Sequence, residues 1–300
     1  MSAAVERVTE TRFGECVAFL REREWRCVTL ASHFAANGCP RYGAETLADA
    51  FVVVSEGEAG IGAGAAAERV TGVVALTRTG ILLHCLDRPG DPAALRESLT
   101  RSVDLKSVRC VLGPSDGTRF LEGATGRTPY RSVAYTLMVS ETEPEERQPP
   151  DPGNATGDDR LAFVRCAPDD AVALLSLQEG YEREEVVPPG DPFDRKACRI
   201  MLERSLAKQA IYAARAGGRF VSKAGTNARG FGWDQLGGVY TDPAWRGRGL
   251  AKALVAHVVR ERRRKGRKVV LFVKDGNDTA RGVYEATGFR RDSPFRISYF

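Results

Sequence analysis

Residues 236–264 read LGGVYTDPAWRGRGLAKALVAHVVRERRR. An apolar run from Leu236 to Thr241 meets Asp242-Pro243, where a strand must stop because proline has no N–H for a ladder. Beyond Gly249, Leu250, Leu254 and Val258 recur at every fourth position with Ala253 beside them, the stripe of a helix with one buried face. The glycines of Arg246-Gly247-Arg248-Gly249 therefore fall at a strand-to-helix junction. A helix N-terminus offers backbone N–H groups without intrahelical partners and a partial positive charge, which suits a pyrophosphate. Gly247 and Gly249 let an anion approach the backbone without a Cβ in the way. Arg246 and Arg248 can add charge-assisted hydrogen bonds. A plain glycine-rich turn would look the same, so the residues beyond the helix have to decide.

They favour the anion site. A second strand-like run, Lys268–Val273, leads to Asn277-Asp278-Thr279-Ala280-Arg281-Gly282-Val283-Tyr284 and then Glu285-Ala286-Thr287-Gly288-Phe289. The R-x-x-G-x-A stretch after Thr-Asp-Pro resembles the acyl-CoA-binding motif of the GNAT superfamily of N-acetyltransferases. The N-x-x-A-x-x-x-Y-x-x-x-G-F stretch is similar to that superfamily's second landmark. The two motifs cover about 55 residues closely, and a looser likeness extends over 161–300.

The resemblance implies roles for particular residues. In the family the pantetheine arm lies between two splayed strands and pairs with the first, a role that falls here on Val239, Tyr240 and Thr241. Backbone N–H groups of Gly247, Arg248, Gly249, Leu250, Ala251 and Lys252 would hold the pyrophosphate, with Arg246 beside them. Asn277 would bond the pantetheine. Tyr284, about two helical turns further on, shares its face and matches the family's general acid, which returns a proton to the departing thiolate. A tyrosine suits that task because a phenol with pKa ~10 is a neutral donor at neutral pH, while a strand N–H can bond the oxyanion. A packing aromatic is the plain alternative for Tyr284. Protein-acetylating members often carry a glutamate base five residues before the asparagine, and here that position is Phe272. Asp234 is one substitute, and Glu184 and Glu185 are others, although a solvated acidic helix end explains the two glutamates as well.

Outward from the motifs, the chain has 300 residues, enough for two domains, with 43% hydrophobic and 28% charged residues. No stretch has the length and apolar character of a membrane span or signal peptide, so a cytoplasmic protein with no membrane association is expected. Seven scattered cysteines without a C-x-x-C pair and three histidines imply reduced thiols and no metal site. The net charge of +5 favours an anionic ligand. It is concentrated in Arg260–Lys268, read as a solvated helix end, and without interleaved aromatics it implies no nucleic acid. Gly60, Gly62 and Ala65 match a dinucleotide fingerprint, but the segment to the next strand is too short for a crossover helix, so a hairpin loop is expected.

Glu141 to Asp159 is rich in proline, glycine and acidic residues, lacks large apolar ones, and reads as a linker. On each side, strand-like runs alternate with helical ones: strands at 51–54, 73–76, 81–86, 108–112 and 133–139 with helices at 13–23, 45–50 and 93–103 before it. After it come strands at 161–165, 211–215, 220–223, 236–241, 268–273 and 295–299, with helices at 171–183, 196–207, 249–264 and 279–287. This is an α/β (α+β mixed sheet) pattern. Together with the resemblance it implies tandem GNAT-like acyl-CoA N-acyltransferase folds, each a central mixed sheet flanked by helices. The expected division is a degenerate GNAT-like domain without the CoA motif at 1–140, a linker at 141–159 and a catalytic N-acetyltransferase domain at 160–300. After 81–86 the first half reads Asp87-Arg88-Pro89-Gly90-Asp91-Pro92, acids and prolines where glycines would be needed. A cut in the linker is expected to release two stable pieces. The expected co-substrate is acetyl-CoA and the expected partner an amine acceptor. The alternative is a CoA-binding regulatory or adaptor protein with little turnover, and neither acceptor identity nor oligomeric state is legible.

Overall fold

The computed structural model describes residues 3–37, 47–56, 68–87, 91–145, 161–187 and 190–300. The Gly60–Ala65 loop, Cys39, residues 88–90 and the linker from 146 to 159 lie outside the described residues. Contacts divide the chain into two compact units, and the division does not fall at a single point. Unit 1 comprises Met1–Leu137, Gly230–Trp233 and Asp292–Phe300, and unit 2 comprises Met138–Arg229 and Asp234–Arg291.

In unit 1 the elements are β1 (Ala3–Arg7), α1 (Glu10–Glu22), α2 (Val28–Asn37), β2 (Leu47–Glu56), β3 (Glu68–Thr77), β4 (Ile81–Leu86), α3 (Pro92–Ser102), β5 (Cys110–Pro114), α4 (Ser115–Thr125) and most of β6 (Arg131–Ser140). Strands β1 to β4 pair antiparallel in sequence order and β4 pairs parallel with β5, so the sheet is mixed. Both faces are buried. Phe51, Val53 and Val74 pack with Leu95, Leu99 and Leu121 of α3 and α4. The alternate residues Val52, Val54 and Val73 pack with Phe19, Leu20 and Phe34 of α1 and α2.

This two-sided burial explains one misreading. Residues 45–50 are expected to be helical, yet Leu47–Ala50 begin β2, in register with β3 from Leu47↔Thr77 onward. A strand covered on both faces loses the alternation that marks it, and pairing overrides the helix preference of Leu-Ala-Asp-Ala. The elements β1, α2 and α4 lie outside the sequence reading altogether.

Unit 2 holds β7 (Ala162–Arg165), α5 (Ala171–Tyr181), a π-helical turn (Glu182–Val186), α6 (Arg195–Lys208), β8 (Ile211–Ala216), β9 (Arg219–Arg229), β10 (Trp233–Thr241), α7 (Leu250–Arg264), β11 (Lys268–Lys274), α8 (Asp278–Glu285) and the start of β12 (Phe289–Tyr299). Its strands follow the order β7-β8-β9-β10-β11, antiparallel from β7 through β10. One face carries α7, with Leu254, Val255, Val258 and Val259 against Val269, Leu271 and Phe289. The other carries α5 and α6, with Leu174, Leu177, Leu202 and Leu206 against Ala213 and Phe220.

Unit 1 draws on segments from far along the chain. Phe295–Tyr299 of β12 pair antiparallel with Pro114–Cys110 of β5. The buried Glu24 carboxylate accepts hydrogen bonds from the backbone N–H groups of Gly232 (3.0 Å) and Trp233 (3.1 Å). Such a buried carboxylate needs these donors, and they need it. The expected division at 141–159 thus leaves chain of unit 1 on both sides. After proteolytic cleavage between residues 146 and 159, the two fragments should co-elute on gel filtration, because unit 1 contains chain from both sides of the cut. Two separate native peaks would show that the β5–β12 pairing contributes little.

Candidate active site

Strand β10 pairs Gly237 with Gly225 and next Tyr240 with Lys223, so Gly238 and Val239 together face a single residue of β9. That is a β-bulge. Gly238 sits at φ +61°, a left-handed conformation that favours glycine. The bulge is held from below: the Lys223 Nζ donates to the Gly238 carbonyl at 2.9 Å, and the Tyr181 ring packs against the same ammonium at 4.7 Å.

Past the bulge, β10 ends at Thr241, and the Asp242 carboxylate accepts from the Ala244 N–H at 2.9 Å. The chain then reaches α7 through Gly249, its N-cap, at φ +75° and without a capping side chain. Asp194 caps α6 and Asn277 caps α8, whereas no side chain caps α7, and its N-terminus is open to an external acceptor. A Cβ at Gly247 or Gly249 would meet nothing within 4 Å. Backbone conformation, rather than crowding, is what these positions demand.

A cavity of about 600 Å³ opens between the bulge, the start of α7 and α8. Of the residues expected at the site, all but Asp234 and Arg248 line it. Arg248 instead donates to the Ala244 carbonyl at 3.3 Å and stacks over the Trp245 ring at 4.9 Å. Asp234 is fully buried elsewhere, bonded by Arg262 (2.6 Å) and Arg267 (2.9 Å). It is an ion-pair centre and not a base facing a substrate, and breaking such a buried pair is strongly destabilising. The same contacts correct the basic run: Arg260 and Arg262 are buried, so Arg260–Lys268 is not simply a solvated helix end.

The two glutamates of the π-helical turn do reach the cavity. Glu184 accepts the Tyr240 hydroxyl at 2.7 Å and both its oxygens accept from Arg246, at 2.9 and 2.8 Å. Burial pushes its carboxyl upward, but the bonds from Tyr240 and Arg246 prevail and hold it below its ordinary range. Burial first, and then Glu184, pushes Tyr240 up to about 12. Glu185 lies 3.2 Å from the Lys274 ammonium. Tyr284 is buried, and its phenol is raised by desolvation first, then by Tyr181 and Glu185, so it stays protonated throughout the neutral range.

Asn277 has two tasks. Its Oδ1 accepts the Ala280 N–H at 3.0 Å, and its Nδ2 points to Glu185 at 3.4 Å. Asn277→Ala should cost about 1 kcal/mol of stability through loss of the cap, and Asn277→Ser should recover most of it. Urea midpoints check this, and equal losses in both variants would deny the cap any weight.

Sequence reasoning missed Lys223, Tyr181 and the bulge. The signal was there in part, since a Gly237-Gly238 pair inside an apolar strand marks a bulge. Among the described residues no cluster of His, Cys, Asp or Glu is placed to hold a metal ion, and no helix is long and apolar enough to cross a membrane.

Residues 171–289 match the acetyltransferase (GNAT) family model, so this segment is a GNAT-family domain. Membership in that family implies acyl transfer from acetyl-CoA. No curated protein sequence matches the chain. Among solved structures, a Drosophila protein superposes over 100% of this chain and 99% of its own, at TM-score 0.65 and 13% identity. A GCN5-related N-acetyltransferase from Sphaerobacter thermophilus covers 99% and 94% at TM-score 0.58 and 15% identity. An acetyltransferase of the GNAT family from Colwellia psychrerythraea covers 99% and 99% at TM-score 0.52 and 11% identity. At these identities the likeness is one of fold.

Proposed function

We propose that the chain moves an acetyl group from acetyl-CoA to a primary amine, with unit 2 as the catalytic part. The observation that carries this is a shared cavity: the uncapped glycine N-terminus of α7, the β10 bulge and the Tyr284 phenol all open onto it. The residues fit the co-substrate in kind. N–H groups of Gly247 to Lys252 would take the pyrophosphate, Val239 to Thr241 would pair with the pantetheine, and Asn277 would offer its amide.

The acceptor amine attacks the thioester carbonyl carbon. The Val239 N–H, displaced from the ladder by the bulge, bonds the oxygen as it gains charge. As the carbon–sulfur bond breaks, Tyr284 donates its proton to the sulfur. Glu184 and Glu185 are the carboxylates at the cavity that could accept the amine's proton. Glu184 holds Tyr240 and Arg246 at 2.7–2.9 Å, and the Glu185 carboxylate meets Lys274 and Asn277 at the longer distances of 3.2 and 3.4 Å.

Unit 1 is read as a degenerate repeat that binds no CoA. The N-terminus of its helix α3 is occupied by Asp91, which accepts from the Ala93 and Ala94 N–H groups at 3.0 Å. Strands β4 and β5 stay paired at Ile81↔Cys110 through Leu83↔Leu112. Just past that pairing, the buried His84 ring bonds Thr118 at 2.9 Å and leaves no room for a Cβ at Gly113 or Gly117. Mass spectrometry of ligand retained through purification, followed by thiol release over an amine library, tests the proposal. Absence of both bound CoA and thiol release would overturn it.

A further inference from the structure

We propose that Lys223 is a positioning residue: it holds the peptide between Gly238 and Val239 so that the Val239 N–H faces the thioester carbonyl, and its charge strengthens that donor. The proposal rests on the acyl-transfer reading of the same site. A trans peptide is planar, with its C=O and N–H pointing in opposite directions. Fixing the Gly238 oxygen therefore fixes the Val239 hydrogen. A bulge built on glycine needs such a clamp, because glycine populates several backbone conformations with little preference.

The clamp is well made. Lys223 is 5% exposed, donates to the Gly238 oxygen at 2.9 Å, and lies 4.7 Å from the centre of the Tyr181 ring, a cation–π arrangement. An ammonium bonded to one end of an amide polarises the N–H at the other, as in any chain of hydrogen bonds. Burying a lysine is costly unless its partners compensate, and here the Gly238 oxygen and the Tyr181 ring are those partners.

The titratable groups facing Lys223 are Tyr181 of α5, Glu182 of the π-helical turn, Cys198 of α6 and Cys166 just after β7. Burial lowers Lys223 to about 8, while it raises Tyr181 and Cys166 to about 12 and Cys198 to about 11. Lys223 is charged below that pH and neutral above it. The donor strength of the Val239 N–H should therefore fall as pH rises through about 8.

The experiment needs no acceptor. Acetyl-CoA carrying ¹³C at the acetyl carbonyl is bound to the full chain, and the carbonyl resonance is followed from about pH 6.5 to about pH 9.5, spanning the lysine transition. A hydrogen bond to the carbonyl displaces its resonance from that of free acetyl-CoA. The displacement should shrink with a midpoint near pH 8. Lys223→Met should keep acetyl-CoA affinity within about threefold by calorimetry, show a smaller displacement without pH dependence, and lose about tenfold or more in kcat once an amine is known. A displacement that is flat with pH in the parent, or unchanged in Lys223→Met, overturns the proposal. If Lys223→Met does not fold, the parent titration decides alone. If the parent does not bind acetyl-CoA at all, the acyl-transfer reading falls with it, an outcome distinct from a flat titration.

Discussion

Tyr284→Phe should lower kcat by about 10²–10⁴-fold, roughly 3–5 kcal/mol of barrier, with little change in acetyl-CoA affinity. The ring would still meet Phe289 edge-on at 6.0 Å, so the variant should fold. Only the hydroxyl is lost. Because burial raises the phenol's pKa, the parent should show no loss of rate from Tyr284 ionising between about pH 6 and about pH 9. The measurement is kcat with an identified amine, beside a calorimetric titration with CoA. Turnover within about threefold of the parent would leave water as the proton source. A collapse in CoA affinity would instead make Tyr284 a binding residue and favour the adaptor reading.

Gly249→Glu should weaken CoA binding by about 100-fold or more, since it places a carboxylate at the open end of α7 where an anion is expected. Strain has to be separated from charge. Gly249 is at φ +75°, so any L side chain there costs about 1–2 kcal/mol. Gly249→Ala carries that strain without the charge, and its CoA affinity gives the baseline. Equal affinities in the two variants would remove the pyrophosphate from this helix end.

The legible part of the site was the part written locally. Arg246 to Ala251 and Asn277 to Tyr284 each state a turn and a helix start within a few residues, and the structure puts α7 and α8 where those signals fall. Lys223 was not legible. In the run RFVSKAGTNAR it is a single charge in a mostly buried strand, and only the register Tyr240↔Lys223 brings it beneath the bulge. Asp234 misled for the same reason. Its partners Arg262 and Arg267 come only in the last turn of α7 and just beyond it, so its burial could not be read from its neighbours in sequence. The helix expected at 45–50 failed because coverage of β2 on both faces is a tertiary fact.

The way unit 1 is assembled has a consequence for synthesis. Strand β5 finds its β12 partner in Phe295–Tyr299, which leave the ribosome after every other strand of that sheet. Unit 1 therefore cannot complete its sheet until residues 292–300 have been made, although N-terminal domains commonly fold before later segments appear. Until residues 292–300 emerge, β5 presents an unpaired edge, the kind of surface that recruits other chains. Truncations or fusions that disturb the last strand should thus act on the half of the protein translated first.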